Sequence, residues 1–159
     1  MADSISRDLV EGFYGALTRR DFDAVATYID DDISWSISGP VDVLPFCGQR
    51  QGKAEVMDVI ANKVPAILPT RKFVPECMLV DGDRAAILGR LHAKHAGTGH
   101  TISYRISHFM RFANGKLVEY SSVLDSFDAA EQVLGRRIEA GDMVREPKRA
   151  NGEIELVAV

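Results

Sequence analysis

A chain of 159 residues that is 46% apolar and 26% charged has the make-up of one soluble domain, able to bury a core without disulfide staples. Its net charge of −4 excludes the basic face that a nucleic-acid partner demands. Cys47 and Cys77 lack the spacing of a metal or redox motif; both read as small buried hydrophobes of a protein in the reducing cytoplasm. Met1 to Arg7 carries no apolar signal region, and no apolar run approaches the roughly 18 residues of a membrane span, so neither export nor insertion is expected.

Ile5, Leu9, Val10, Phe13, Tyr14 and Leu17 recur at helical spacing and predict a first helix opening near Asp3 or Ser4. Asp21 is placed to cap a shorter second helix with Phe22, Val25, Ala26 and Ile29 on its inner side. The acidic run Asp30-Asp31-Asp32 ends that pattern. Ile33, Trp35 and Ile37 then alternate with Ser34 and Ser36, as in a half-buried strand. The stretch 38–52 holds Gly39, Pro40, Pro45, Gly48 and Gly52 and reads as a long loop. A third helix runs from about Lys53 through Val56, Val59, Ile60 and Val64 and is expected to stop at Pro65.

From Thr70 the texture is that of strands: 71–80, 84–95, 101–112 and 117–124. Tight turns at Asp81-Gly82-Asp83, Gly97-Thr98-Gly99 and Asn114-Gly115 join them. Helical spacing returns at Phe127, Ala130, Val133, Leu134 and Ile138. Residues 1–140 therefore form the domain, and 141–159 a tail whose end, Ile154 to Val159, is a loose strand or an arm for a partner subunit. Helices followed by antiparallel hairpins make an α+β fold. A twisted antiparallel sheet curls around about three helices and leaves a cone-shaped hollow.

Two stretches resemble the SnoaL-like, ketosteroid-isomerase-like superfamily with the nuclear transport factor 2-like fold. One is Gly12-Phe13-Tyr14-Gly15-Ala16-Leu17-Thr18-Arg19-Arg20-Asp21-Phe22-Asp23-Ala24-Val25, with Asp32-Ile33-Ser34-Trp35 after it. The other is His108-Phe109-Met110-Arg111-Phe112-Ala113-Asn114-Gly115-Lys116-Leu117-Val118-Glu119-Tyr120. The resemblance covers residues 6 to 135 and implies a cystatin-like α+β roll around a conical pocket, and a homodimer. It does not choose a chemistry, because this fold carries isomerases, cyclases, epoxide hydrolases, dehydratases and binders.

Strand parity assigns the side chains to faces. In 101–112 the even residues, Ile102, Tyr104, Ile106, His108, Met110 and Phe112, form the inner set. Val118, Tyr120, Ser122 and Leu124 match them on the last strand, Trp35 and Ile37 on the first, and Tyr14 joins from the first helix. Ile87, Gly89, Leu91 and Ala93 put Arg90, His92 and Lys94 outside. Asp125 is expected to cap the last helix, and His95 and His100 to lie exposed with no carboxylate at metal-ligand spacing.

His108, Tyr14 and Tyr104 are accordingly the expected catalytic residues; Trp35, Ile37, Ile106, Tyr120, Ser122 and Leu124 are the expected substrate wall. A desolvated histidine stays neutral and accepts protons, and a dry tyrosine hydroxyl donates to a developing oxyanion. Ketosteroid isomerases pair a tyrosine with a protonated aspartic acid and use a second aspartate as base. By resemblance Tyr14 matches that tyrosine, His108 stands at the acid, and Ile37 falls at the base, which excludes that mechanism. The Asp–Arg–Asp set of limonene epoxide hydrolase has Arg90, His92 and Ser122 as nearest equivalents, with both carboxylates missing. The leading expectation is a cofactor-independent isomerase, cyclase or lyase for a small hydrophobic carbonyl or ring compound. The alternatives are a non-catalytic binding or sensing module and a structural dimerisation domain.

Overall fold

The computed structural model describes residues 4–139 and Gly141; the rest of the expected tail lies outside them. Helix α1 (Arg7–Arg19) starts at Ser6, whose extended backbone lets its hydroxyl accept from the Leu9 amide at 3.2 Å. The start therefore falls later than Ser4. Asp21 caps α2 (Phe22–Tyr28) through the Ala24 amide, as its position in the sequence predicts.

Strand β1 (Ile29–Ile37) begins earlier than the alternation suggests, and the acidic run is its first half. Ile29 and Ile33 are both buried with three residues between them, because the register against the neighbouring strand shifts between Ile29 and Ser34. The expected loop 38–52 contains a short edge strand, β2 (Gly48–Gln51), paired antiparallel with β1. Its polar Gln49, Arg50 and Gln51 give no hydrophobic pattern to read.

The third helix does not stop at proline. Helix α3 (Lys53–Asp58) widens into a π-helical stretch over Val59–Lys63 and continues as α4 (Val64–Ile67). The Val64 amide reaches back five residues to the Val59 carbonyl. Pro65 has no N–H to give, and the wider turn accommodates its ring where a regular helix would clash.

Strands β3 (Thr70–Asp81), β4 (Arg84–Lys94), β5 (Thr101–Ala113) and β6 (Lys116–Leu124) form an antiparallel meander. Asn114 and Gly115 both take positive φ, the geometry of a two-residue hairpin turn that follows the strand twist. The six strands run β2-β1-β6-β5-β4-β3, and β1 lies parallel to β6. Helix α5 (Ser126–Leu134) is capped by Asp125 on the Asp128 amide and ends at Gly135, short of Ile138.

Burial along β5 alternates without a break from Thr101 to Ala113, so its even residues are the inner ones. On β6 the inner set is Leu117, Tyr120, Ser122 and Leu124, not Val118. A bulge opposite Arg111 and Phe112 skips Val118 and turns it from the core. Cys47 is buried, but Cys77 is exposed, since it follows a second bulge on the edge strand β3. Among the described residues no helix is long and apolar enough to cross a membrane.

Gly89 on β4 matters to the site. A Cβ there would stand 2.5 Å from the Phe73 ring and 2.6 Å from the Val74 carbonyl oxygen. The missing side chain is what lets Phe73 lean across the inner face. Gly89→Ala should cost about 1–3 kcal/mol in urea unfolding through overpacking against an immovable backbone oxygen. It should also change the environment of the His108 ring protons in NMR; unchanged stability and spectra would contradict this packing.

Candidate functional site

Side chains from three elements converge on the His108 imidazole. Tyr14, one helical turn beyond Val10 and half-buried beside the Val10–Phe13 stripe of α1, hydrogen-bonds its hydroxyl to His108 Nδ1. The two rings lie parallel, 5.7 Å between centroids. Phe73, reaching over Gly89, stacks on His108 at 5.2 Å and on Tyr14 at 5.8 Å. Tyr120 closes a third side at 5.3 Å, and Trp35 stacks on Tyr120 at 3.7 Å. His108 is thereby left only 9% exposed.

The sheet register explains the remaining placements. Trp35 pairs with Tyr120, which pairs with Met110; Ile37 pairs with Ser122, which pairs with His108. Ile106 and Leu124 form the next buried row. All six expected wall residues, Trp35, Ile37, Ile106, Tyr120, Ser122 and Leu124, are thus buried on the inner face. Tyr104 is on that face too, but four residues from His108, about 13 Å along the strand. Cys47 and Arg71 act on it electrostatically, and it acts on Tyr120 in the same way without a hydrogen bond. Tyr120, not Tyr104, has its hydroxyl beside that of Tyr14.

Burial dominates the electrostatics. It pushes the His108 pKa down from 6.5 to about 4, so the imidazole is neutral at physiological pH. Burial also raises Tyr14, Tyr120 and Tyr104 above their ordinary value, keeping all three as hydroxyls. A neutral imidazole has one donor and one acceptor nitrogen: with its hydrogen on Nε2, Tyr14 donates to Nδ1; with its hydrogen on Nδ1, the Tyr14 oxygen accepts and Nε2 is the free acceptor. Trp35 Nε1 and Ser122 Oγ are buried without a hydrogen-bond partner; Ser122 Oγ approaches the Tyr120 hydroxyl without closing a bond of ordinary geometry.

A cleft of about 480 Å³ between α1 and β3 is lined by Tyr14, Phe73, Pro75, Met78 and Ile87 among others; it touches the site at Tyr14 and Phe73, while His108, Tyr120, Trp35 and Ser122 are not part of its lining. A second groove of about 370 Å³, bordered by Leu79, Phe109, Arg111 and Glu119, includes outward side chains of the sheet, on the far side from the imidazole. His92 is exposed and Arg90 points outward to Ser103 Oγ at 3.5 Å. His95 bonds Thr98 within its own turn. Among the described residues no group of His, Cys, Asp and Glu is arranged to hold a metal ion.

Sequence reading missed two inner-face residues. Phe73 stands in a strand whose alternation is hidden by the bulge at Glu76, and only its partner Gly89 signals the close approach. Arg71, opposite Ala93, donates to the Leu68 carbonyl, and burial together with nearby Arg20 lowers its pKa.

The fold and site define an α+β roll whose inner sheet face presents a neutral histidine–tyrosine pair. The chain belongs to the SnoaL-like domain family, whose model matches residues 10–120. It is similar to a solved "Putative Isomerase" from Rhodopseudomonas palustris at 39% identity, covering 80% of this chain and 94% of that one, with a TM-score of 0.71. An NTF2-like protein from Burkholderia pseudomallei matches at 23% identity over 79% and 95% of the two chains, with a TM-score of 0.73. An LEH-like epoxide hydrolase of M. tuberculosis matches in fold at 15% identity over 80% and 88%, with a TM-score of 0.64. No match was found among curated proteins.

The buried histidine sets a pH dependence. Between pH 6.5 and about 4 the unfolded chain binds a proton at His108 that the folded chain refuses. Stability present above pH 6.5 is therefore lost as pH falls, by at most about 1.4 kcal/mol per pH unit and about 3 kcal/mol in all. Urea unfolding at pH 7 and pH 4.5 should show this loss in the native chain. His108→Gln should lack that component, and equal pH slopes in the two proteins would refute it.

Proposed function

We propose that this protein is an acid–base catalyst of the isomerase, cyclase or lyase kind, working without a cofactor on a small hydrophobic compound that carries a carbonyl or a ring oxygen. The observation that carries the reading is the neutral His108 imidazole, hydrogen-bonded to Tyr14 and walled by Phe73 and Tyr120. In the tautomer that carries its hydrogen on Nδ1 and donates it to the Tyr14 oxygen, His108 takes a proton from the substrate at Nε2 and returns it at a second position. The hydroxyls of Tyr14 and Tyr120 receive the charge that develops on the substrate oxygen, in a setting where water does not compete.

The depressed pKa decides how the work is divided. An imidazole near 4 is a weak base, so the abstracted proton has to be acidified first by polarising the neighbouring carbonyl. Ile37, at 8% exposure, offers no carboxylate for the ketosteroid-isomerase route. The name of the Rhodopseudomonas relative supports isomerase chemistry; the epoxide hydrolase supports the fold alone. We place the protein in the cytoplasm, where the exposed free thiol of Cys77 stays reduced. We place a homodimer contact on the outer sheet face, where Leu79, Phe109 and Val123 are exposed.

One observation favours a binding or sensing module instead. Among the described residues no carboxylate is buried beside His108 and Ser122. Exchange of α-hydrogens in D2O, followed by NMR across a panel of small cyclic ketones, separates the readings. Catalysis predicts that His108→Gln slows exchange by roughly 10²- to 10⁴-fold, the usual worth of a positioned acid–base group, while the variant stays folded at pH 7. Ketones that bind but exchange no faster with the native protein than with His108→Gln would make it a binder.

A further inference from the structure

Two polar atoms in the site close no hydrogen bond of ordinary geometry: Trp35 Nε1, and Ser122 Oγ, which has only the Tyr120 hydroxyl near it; their residues are 4% and 1% exposed. A buried donor left unpaired costs about 1–3 kcal/mol, and native structures contain few of them. A fold under no functional demand would lose this cost with Phe and Ala at these positions. The two atoms are not scattered. Trp35 pairs with Tyr120 and Ser122 pairs with Ile37, so they are diagonal neighbours on the inner face of the parallel β1–β6 pair. Ser122 is also directly across from His108.

The surroundings restrict what such donors would bind. Trp35 Nε1 can only donate, the Ser122 and Tyr120 hydroxyls can donate or accept, and His108 Nδ1 is already engaged by Tyr14. No positive charge is at hand: His108 is neutral, and the inner-face Arg71 sits level with Ile102, six residues or about 20 Å along β5 from His108. An anion buried here would lack a counter-charge, whereas an uncharged oxygen acceptor would be well served.

We propose that Trp35 and Ser122 are the residues that recognise the ligand's oxygen, and that the ligand is an uncharged ring compound with an acceptor oxygen, not a carboxylate and not a hydrocarbon. This builds on the reading of the inner face as a ligand site, but it concerns binding and holds whether or not the ligand turns over.

The chain has a single tryptophan, so the 1H–15N spectrum contains one indole N–H resonance, that of Trp35. The probes are cyclohexanone, methylenecyclohexane and cyclohexanecarboxylate, of similar size and differing in the group presented. Cyclohexanone should move the indole proton downfield; methylenecyclohexane at equal occupancy should not. Cyclohexanecarboxylate should bind at least ~10-fold more weakly than the ketone, the equivalent of one lost hydrogen bond. Ser122→Ala and Trp35→Phe, followed through the ligand signals, should each weaken the ketone about 10-fold and leave the hydrocarbon within about twofold.

Ser122→Ala should also melt no lower than the native chain, since it removes an unsatisfied buried atom. A merely structural serine predicts a lower melting temperature and an unchanged preference for ketone over hydrocarbon, and that result would overturn the proposal. So would an indole proton that no ketone from cyclopentanone to cyclooctanone moves, as expected if both atoms simply hold a structural water. An indole shift without His108-dependent exchange would sink the catalytic reading and keep this one. His108-dependent exchange with an unaltered ketone preference in Ser122→Ala would do the reverse.

Discussion

An imidazole enclosed by Tyr14, Phe73 and Tyr120, with no carboxylate against it, has nothing to compensate a positive charge, and the neutrality this enforces governs everything else in the site. A neutral His108 can accept from Tyr14 without an ion pair. Burial likewise keeps the hydroxyls of Tyr14 and Tyr120 protonated. The inner face therefore presents directed dipoles in place of formal charges. Such a site favours ligands that are themselves uncharged and that gain charge only as they react.

Backbone irregularities make this enclosure possible. The absent side chain of Gly89 lets Phe73 cross to the imidazole. The bulge on β6 moves Leu117 inward and sets the phase in which Tyr120, Ser122 and Leu124 face the helices. The parallel pairing of β1 with β6 places Trp35 flat on Tyr120 and Ile37 beside Ser122. On the helical side, the π-turn before Pro65 carries Val59 and Ile60 into the core without breaking the helical run. Each departure costs regular hydrogen bonding locally and is matched by a contact that the regular pattern would not supply.

Within the SnoaL-like frame, the inner face of this chain sets the tyrosine of α1 beside a histidine that burial leaves neutral, and Ile37 on β1 brings no carboxylate to them. What remains is a donor-rich inner face, with Tyr14 and Phe73 at its boundary with the cleft between α1 and β3.

Most of the frame was legible from residue order. Period-two alternation identified β5 and its inner face, Asn114-Gly115 marked the last hairpin, and Asp21 and Asp125 announced the helix caps, because each is a local effect of side-chain direction or backbone preference. The inward aim of His108, Trp35, Tyr120 and Ser122 followed from the same parity. Tertiary structure alone decided which of those residues meet. Tyr104 and Tyr120 look equivalent in the sequence, yet only Tyr120 reaches the Tyr14–His108 pair, since register across three strands and not position within one sets that distance. Phe73 was invisible for the same reason: its contact depends on a glycine sixteen residues away and on a bulge that no periodicity reports. Local patterning determines which face a side chain takes, while its partners on that face are fixed by how the strands pair.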